Sequence, residues 1–218
     1  MSFVTIERKV LEKNDALAEH NRRTLQAAGI FSINMVSSPG AGKTSLLERT
    51  VEQLRGRLRL SVIEGDVQTD FDAQRVAKHD VPVVQIVTNG ACHLEAKLVQ
   101  DAMSQLDLRG TELLVIENVG NLVCPASFDL GEDLKVVVLS TTEGDDKPLK
   151  YPAMFRNAAV LVINKIDLLP YVDCDLAAMR QRALQINPAL QVFETSCKTG
   201  TGIPEWCAWL EQQVHGKR

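Results

Sequence analysis

Residues 30–45 read IFSINMVSSPGAGKTS. The first seven, 30–36, form a short apolar run of strand type. The loop SSPGAGKTS breaks that run with Pro and Gly, and LLERTVEQL follows with apolar residues recurring at a period of about 3.6. The order is strand, loop, helix. Residues 37–44 fit the pattern GxxxxGK[ST] except at its first position, where Ser37 replaces glycine. Gly40, Ala41 and Gly42 let backbone amides curve around a phosphate, Lys43 places a charge on the outer phosphates, and Thr44, next to Ser45, offers a hydroxyl to Mg2+. The helix that follows adds its positive N-terminal end. A bound nucleoside triphosphate is the expectation.

Working outward, runs of strand type recur at 60–66 (LSVIEGD), 81–87 (VPVVQIV), 112–120 (ELLVIENVG), 134–140 (LKVVVLS) and 158–165 (AAVLVINK). Most are continuous and β-branched rather than alternating, as expected of a parallel sheet covered on both faces. Between them CHLEAKLVQDAMSQL and DLAAMRQRALQI carry helical periodicity. The fold class is α/β: a doubly wound, mainly parallel sheet flanked by helices, the P-loop NTPase arrangement. Residues 4–28 read as an amphipathic helix with an imperfect stripe of Val10, Leu11, Leu17 and Leu25. The expected organisation is a helical leader over 1–29 packed on one domain over 30–218.

Composition narrows the class. With 45% hydrophobic and 24% charged residues the chain is globular rather than disordered, and a net charge of -4 lacks the basic footprint of a nucleic-acid partner. No stretch has the length to span a bilayer, and the charged N-terminus lacks a secretory apolar region, so a cytoplasmic address without membrane attachment is expected. Five scattered cysteines do not form a small-domain disulfide pattern and read as free thiols or metal ligands.

The phosphate loop alone does not name the base. NKID, residues 164–167, directly after a strand, resembles the guanine-specificity motif of GTPases, which implies that Asp167 reads the guanine edge, Asn164 fixes the loop and the Lys165 stem covers the ring. TSCKTG resembles the next guanine loop, so that Ser196, Cys197 and Lys198 close the pocket. ENVG stands where most GTPases carry DxxG. Glu117 then reaches the magnesium shell and Gly120 senses the γ-phosphate through its amide, while Asp66 is a second candidate for magnesium or for the attacking water. Lys43, Asp66 and Glu117 are the catalytic candidates for GTP hydrolysis to GDP. No glutamine follows ENVG, so slow intrinsic turnover is expected.

A second constellation holds Cys92 and His93, adjacent in NGACHLEAK, and Cys124, four residues beyond Gly120. Thiolate and imidazole are ligands for zinc or nickel, and three of them leave a four-coordinate site incomplete. A two-fold homodimer could complete it, since an isologous interface presents each ligand twice. The residues alone leave open that these thiols are simply buried.

The set SSPGAGKTSLLE, EGD, NGACHLE, ENVGNLVCPASFDLGE, STTEGDDKPLKYPAMF and NKIDLLP resembles the HypB family, GTPases that assist nickel insertion into [NiFe] hydrogenase. The resemblance spans about residues 14–210, nearly the whole chain. It implies a homodimer favoured by GTP, a nickel or zinc site on Cys92, His93 and Cys124, supply of Ni2+ by a HypA-type chaperone, and a hydrogenase large-subunit precursor as recipient. The first cysteine here is Cys92 and only His20 precedes His79, so the N-terminal nickel motif of some members is missing. Two alternatives remain: a signalling or client-assembly GTPase without a functional metal, and a urease-type nickel GTPase. The adjacent Cys-His pair and the separate Cys124 argue against the latter's Cys-Pro-His arrangement. Cys207 falls with Ile203, Leu210 and Val214 on one helix face and reads as core; Cys174 has no ligand neighbour at suitable spacing, and His79 and His215 read as surface residues.

Overall fold

The computed structural model describes residues 6–68 and 71–217. The strands are β1 (Phe31–Ser37), β2 (Leu60–Asp66), β3 (Val83–Val87), β4 (Leu113–Glu117), β5 (Leu134–Ser140), β6 (Val160–Asn164) and β7 (Gln191–Glu194). The helices are α1 (Ile6–Ala27), α2 (Lys43–Leu54), α3 (Phe71–Ala77), α4 (Ala96–Gln105), α5 (Lys147–Lys150), α6 (Pro152–Arg156), α7 (Leu176–Ile186) and α8 (Ile203–Gly216). None of the described helices is long and apolar enough to cross a membrane.

All strands are parallel, in the order β3-β2-β4-β1-β5-β6-β7. β1 lies at the centre, with β4 on one side and β5 on the other. The chain leaves β1 toward one half of the sheet and later fills the other, so the loop after β1 sits where the winding reverses. In such sheets ligands bind outside the carboxyl ends of the strands at that point. Ser37, Asp66, Glu117, Ser140, Asn164 and Glu194 all end their strands at this one edge.

Alternate residues of the strands feed the two faces. Ile33, Met35, Val62, Val115, Val138 and Val162 pack with α2 and α8, where Trp206 and Cys207 are fully buried. Opposite, Val137, Leu139 and Leu161 meet α6 and α7, while Ile63, Leu114 and Ile116 meet α4 and Leu25 of α1. Cys207 is core, with Ile203, Leu210 and Val214.

Sequence and structure differ in instructive places. The run expected over 81–87 pairs as a strand only from Val83, because Pro82 has no N–H to give the ladder, although its carbonyl still accepts from Val62 at 2.9 Å. The expected helix over 4–28 begins outside the described residues, and the side chain of Val10 lies outside them too. Of the expected stripe Leu25 is fully buried and Leu11 and Leu17 are half-buried, and the buried face of α1 is completed by Asn14, Ala18 and Asn21. Two asparagines belong to it because their amides bond backbone beneath: Asn14 Nδ2 to the carbonyl of Asp129 (2.7 Å), and Asn21 Nδ2 to those of Ala96 at the start of α4 (2.9 Å) and Leu130 (3.0 Å).

Candidate functional site

The phosphate loop is shaped by its glycines. Gly40 (φ +76°) and Gly42 (φ +99°) take left-handed backbone conformations, and a Cβ on Gly42 would come within 2.5 Å of Asn164 Nδ2. Gly42 caps α2 without a side chain, which leaves the first-turn amides to an anion. Ser37, at the position where glycine is usual, receives the Lys43 ammonium on Oγ at 3.0 Å. Lys43 Nζ is also 4.0 Å from Glu117 Oε1, to which Thr44 Oγ1 donates at 2.8 Å.

Glu117 ends β4 opposite Glu64 of β2, and both side chains are buried. Each keeps one oxygen, Oε2, without a hydrogen-bond partner. Burial pushes the Glu117 carboxyl up, against the pull of Lys43 and Thr44. Burial, then the charge of Glu117, pushes Glu64 up to about 11. Buried oxygens left without partners are costly, and a hard divalent cation takes carboxylate, hydroxyl and phosphate oxygens. Thr44, Glu117 and Glu64 therefore fit Mg2+. Asp66, half-buried at the rim, accepts the amide of Gln68 on Oδ1 at 2.8 Å. Glu64 was not among the residues expected from sequence; the signal was a carboxylate inside an otherwise apolar strand.

These side chains line a cavity of about 470 Å³ together with Gly40, Gly42, Ser45 and Gly120. Gly120 packs on the loop so closely that a Cβ would lie 3.1 Å from Pro39 Cα. An adjoining cavity of about 560 Å³ shares Ser45 and Lys165 with the first and adds Asp167, Cys197 and Lys198. Asn164 ties the two: its Nδ2 donates to the carbonyl of Ala41 (3.1 Å), and its Oδ1 accepts from Thr195 Oγ1 (3.2 Å) and the Cys197 amide (3.4 Å). Lys165 (φ +63°) sends Nζ to the carbonyl of Gly40 at 2.6 Å. Ser196 Oγ donates to Asp167 Oδ1 at 2.5 Å. One cavity suits phosphates, the other a base.

Beyond Gly120 the chain passes through a short turn, Cys124–Ala126, which faces the loop leading into α4. Cys92 Sγ lies 3.0 Å from Cys124 Sγ and 3.7 Å from His93 Nδ1, and ligand atoms of the three residues all fall within 4.8 Å of one another. Among the described residues this is the group of Cys, His and carboxylate side chains with metal-site geometry. The His93 ring lies 4.0 Å from that of Phe128, and burial lowers its pKa against the opposing charge of Glu95, which favours the neutral imidazole that a metal ligand requires. The hydrogen bond with Cys92, then burial, raises the Cys124 thiol.

Residues 32–194 match the CobW/HypB/UreG nucleotide-binding domain. The chain is 53% identical over 211 residues to the hydrogenase maturation factor HypB of Azotobacter vinelandii, covering 97% of this chain and 70% of that protein. The chain belongs to the HypB family. Two HypB crystal structures share its architecture. That from Archaeoglobus fulgidus has a TM-score of 0.87 at 39% identity, covering 93% of this chain and 99% of that one. That from Helicobacter pylori, in complex with nickel, has a TM-score of 0.89 at 36% identity, covering 94% and 96%.

In this HypB-family chain the remaining thiols are set apart from the cluster. Cys197 donates to Asn164 Oδ1 at 3.4 Å and is pushed up to about 11 by burial, so it sits neutral beside the base cavity. Burial likewise raises Cys174. His215 is exposed, whereas His79 is half-buried, with Nδ1 3.9 Å from Glu52, because it closes one wall of the base cavity.

Proposed function

We propose that the chain is a GTP-hydrolysing metallochaperone that delivers nickel during maturation of [NiFe] hydrogenase. The observation that carries this reading is the Cys92, His93 and Cys124 cluster, one arm of which continues directly from the Glu117–Gly120 segment at the phosphate cavity. Family membership supports the assignment, and one relative crystallised with nickel supports the choice of cargo.

In this reading residues 30–218 are the GTPase domain, braced by the leader 1–29. Gly40, Ala41, Gly42, Thr44 and Ser45 hold the phosphates, and Lys43 offsets charge that develops on them. Asp167 reads guanine, with Asn164, Lys165, Ser196, Cys197 and Lys198 around the base. Magnesium, when bound, supplies positive charge beside the outer phosphates; Thr44 and Glu117 hold it, and Asp66 at the rim orients water. Gly120 answers to the γ-phosphate, so hydrolysis reorganises the segment that ends in Cys124 and loosens the grip on the cargo. Two thiolates and one imidazole leave a fourth position for Ni2+ or Zn2+, which a second copy supplies in a GTP-favoured homodimer. A HypA-type chaperone delivers the ion and a hydrogenase large-subunit precursor receives it, in the cytoplasm.

The test is metal stoichiometry by equilibrium dialysis. Cys92→Ala and Cys124→Ala are expected to abolish stoichiometric Ni2+ and Zn2+ binding while GTP turnover persists. Undiminished metal binding in both variants would sink the proposal.

A further inference from the structure

The segment after Glu117 touches the metal loops through side chains as well as by chain continuity. Asn118, 2% exposed, is fixed by its own amide, which donates to the carbonyl of Met35 at 2.9 Å. Its Oδ1 accepts the amide of Leu94 at 3.1 Å and that of Val119 at 2.9 Å. Leu94 directly follows His93. The Nδ2 of Asn118 donates to Asn34 Oδ1 at 3.2 Å, and Asn34 Nδ2 donates to Glu132 Oε1 at 3.0 Å. Glu132 is 3.8 Å from the Lys135 ammonium, which donates to the carbonyls of Pro125 (2.9 Å) and Phe128 (3.2 Å). Pro125 directly follows Cys124. One buried polar chain thus joins the residue beside Glu117 to both ligand-bearing loops.

This polar chain is costly to build. Asn34 lies in the central strand, and Asn34, Glu132 and Lys135 are all buried in surroundings that otherwise favour apolar side chains. The links beyond Asn118 are mutually satisfied: Glu132 Oε2 takes the Leu130 amide at 2.8 Å. Such a network holds a discrete geometry rather than yielding smoothly, and moving Asn118 must move Leu94 or break a buried bond. A neutral amide is needed at position 118, because it accepts from one loop and donates toward the other at once.

We propose that Asn118 is the positioning residue that transmits nucleotide state to the metal site, setting the separation of Cys92 and His93 from Cys124 as the Glu117–Gly120 segment responds to the γ-phosphate. This rests on the nucleotide-controlled reading above and adds the residue through which control passes.

The experiment measures Ni2+ affinity by chelator competition at saturating GDP and at saturating non-hydrolysable GTP analogue, each with Mg2+, on the full chain. Wild type is expected to differ about tenfold between the two states, within the usual range of coupling between sites. Asn118→Ala is expected to bring that ratio below about threefold while Ni2+ still binds stoichiometrically. Asn34→Ala, which removes the acceptor of Asn118 Nδ2 and so cuts the link toward Pro125 while leaving residues 117–120 unsubstituted, is expected to lower the ratio as well and serves if Asn118→Ala does not fold. A wild-type ratio in a folded variant overturns the proposal. Equal affinities in the wild-type chain overturn nucleotide control itself, and the proposal with it. Loss of nickel through Cys92→Ala is read separately, so failure of the metal site is not confused with failure of the coupling.

Discussion

Thr44 Oγ1 and Glu117 Oε1 are hydrogen-bonded at 2.8 Å, joining the first turn of α2 to the end of β4 across 73 positions of chain. The bond aims both oxygens into the phosphate cavity, where Lys43 stands 4.0 Å away. Glu117→Gln keeps the shape and the acceptor but removes the charge that a divalent cation needs. GTP turnover at saturating nucleotide is expected to fall about 10²-fold, the scale of losing one well-placed electrostatic group. Turnover titrated against Mg2+ checks this, and an unchanged magnesium dependence would remove Glu117 from the metal shell.

Glu64 carries a stability cost with a definite pH signature. Its carboxyl has an ordinary value of 4.5 and stands at about 11 in the folded protein. Between those values the folded chain holds a proton that the unfolded chain has released. Stability of the magnesium-free protein is therefore greatest below pH 4.5 as far as this group is concerned, and declines as pH rises through the window. Glu64→Gln removes the linkage. At pH 8, without nucleotide or Mg2+, it is expected to stabilise the fold by about 1 kcal/mol, or about 2–4 °C in Tm, and to flatten the pH profile. The same variant is expected to bind Mg2+ more weakly. Denaturant curves at pH 6 and 8 decide it; a destabilised variant with the wild-type pH slope would reverse the assignment.

Ser196 Oγ donates to Asp167 Oδ1 at 2.5 Å, so the carboxylate is already aimed across the base cavity. Asp167→Asn replaces an acceptor by a donor where guanine itself presents donors, leaving a repulsive contact in place of a charge-assisted one. GTP affinity is expected to fall at least about 10²-fold while affinity for ATP changes little, measured by competition with a fluorescent guanine nucleotide. Equal competition by ATP and GTP in the wild-type chain would overturn the NKID reading.

The readability of this protein follows from where its signals lie. Six strands announced themselves as apolar runs such as LKVVVLS: β1, β2, β4, β5 and β6 because they are buried along nearly their whole length, and β3, a partly buried edge strand, because VPVVQIV is still a nearly continuous apolar run. β7 did not, since QVFE is a four-residue edge strand with no fully buried side chain. The GxxxxGK[ST]-like loop and NKID were visible because each signal is local: Gly42, Lys43 and Asp167 each lie within a contiguous motif. Glu64 was invisible in its role because its partner Glu117 meets it only through strand register. Asn118 sat in plain view within ENVG, yet its bonds to Leu94 and Asn34 are tertiary facts. Cys92 and Cys124 are an intermediate case, legible as ligand types and brought together only by folding.

Helix α1 ties the two loops that bear Cys92, His93 and Cys124. Asn21 is fully buried and donates to the carbonyls of Ala96 and Leu130, one just beyond the Cys92-His93 loop and the other just beyond the turn that bears Cys124. Gly131 lets this happen: with φ +92°, a Cβ there would come within 2.5 Å of the Ala18 carbonyl. Asn21→Ala removes two buried hydrogen bonds and leaves a cavity under α1, offset in part because the Ala96 carbonyl remains in the first turn of α4 and the unpartnered Asn21 Oδ1 is removed too. A net loss of about 2–4 kcal/mol is expected by urea denaturation. Arg23→Ala, on the exposed side of the same helix and paired with Glu19, is expected to cost under about 0.5 kcal/mol. If α1 braces the two metal loops rather than only adding bulk, Asn21→Ala weakens Ni2+ binding under conditions where the variant remains folded, and Arg23→Ala does not. Equal nickel affinities in the two variants would confine α1 to stability.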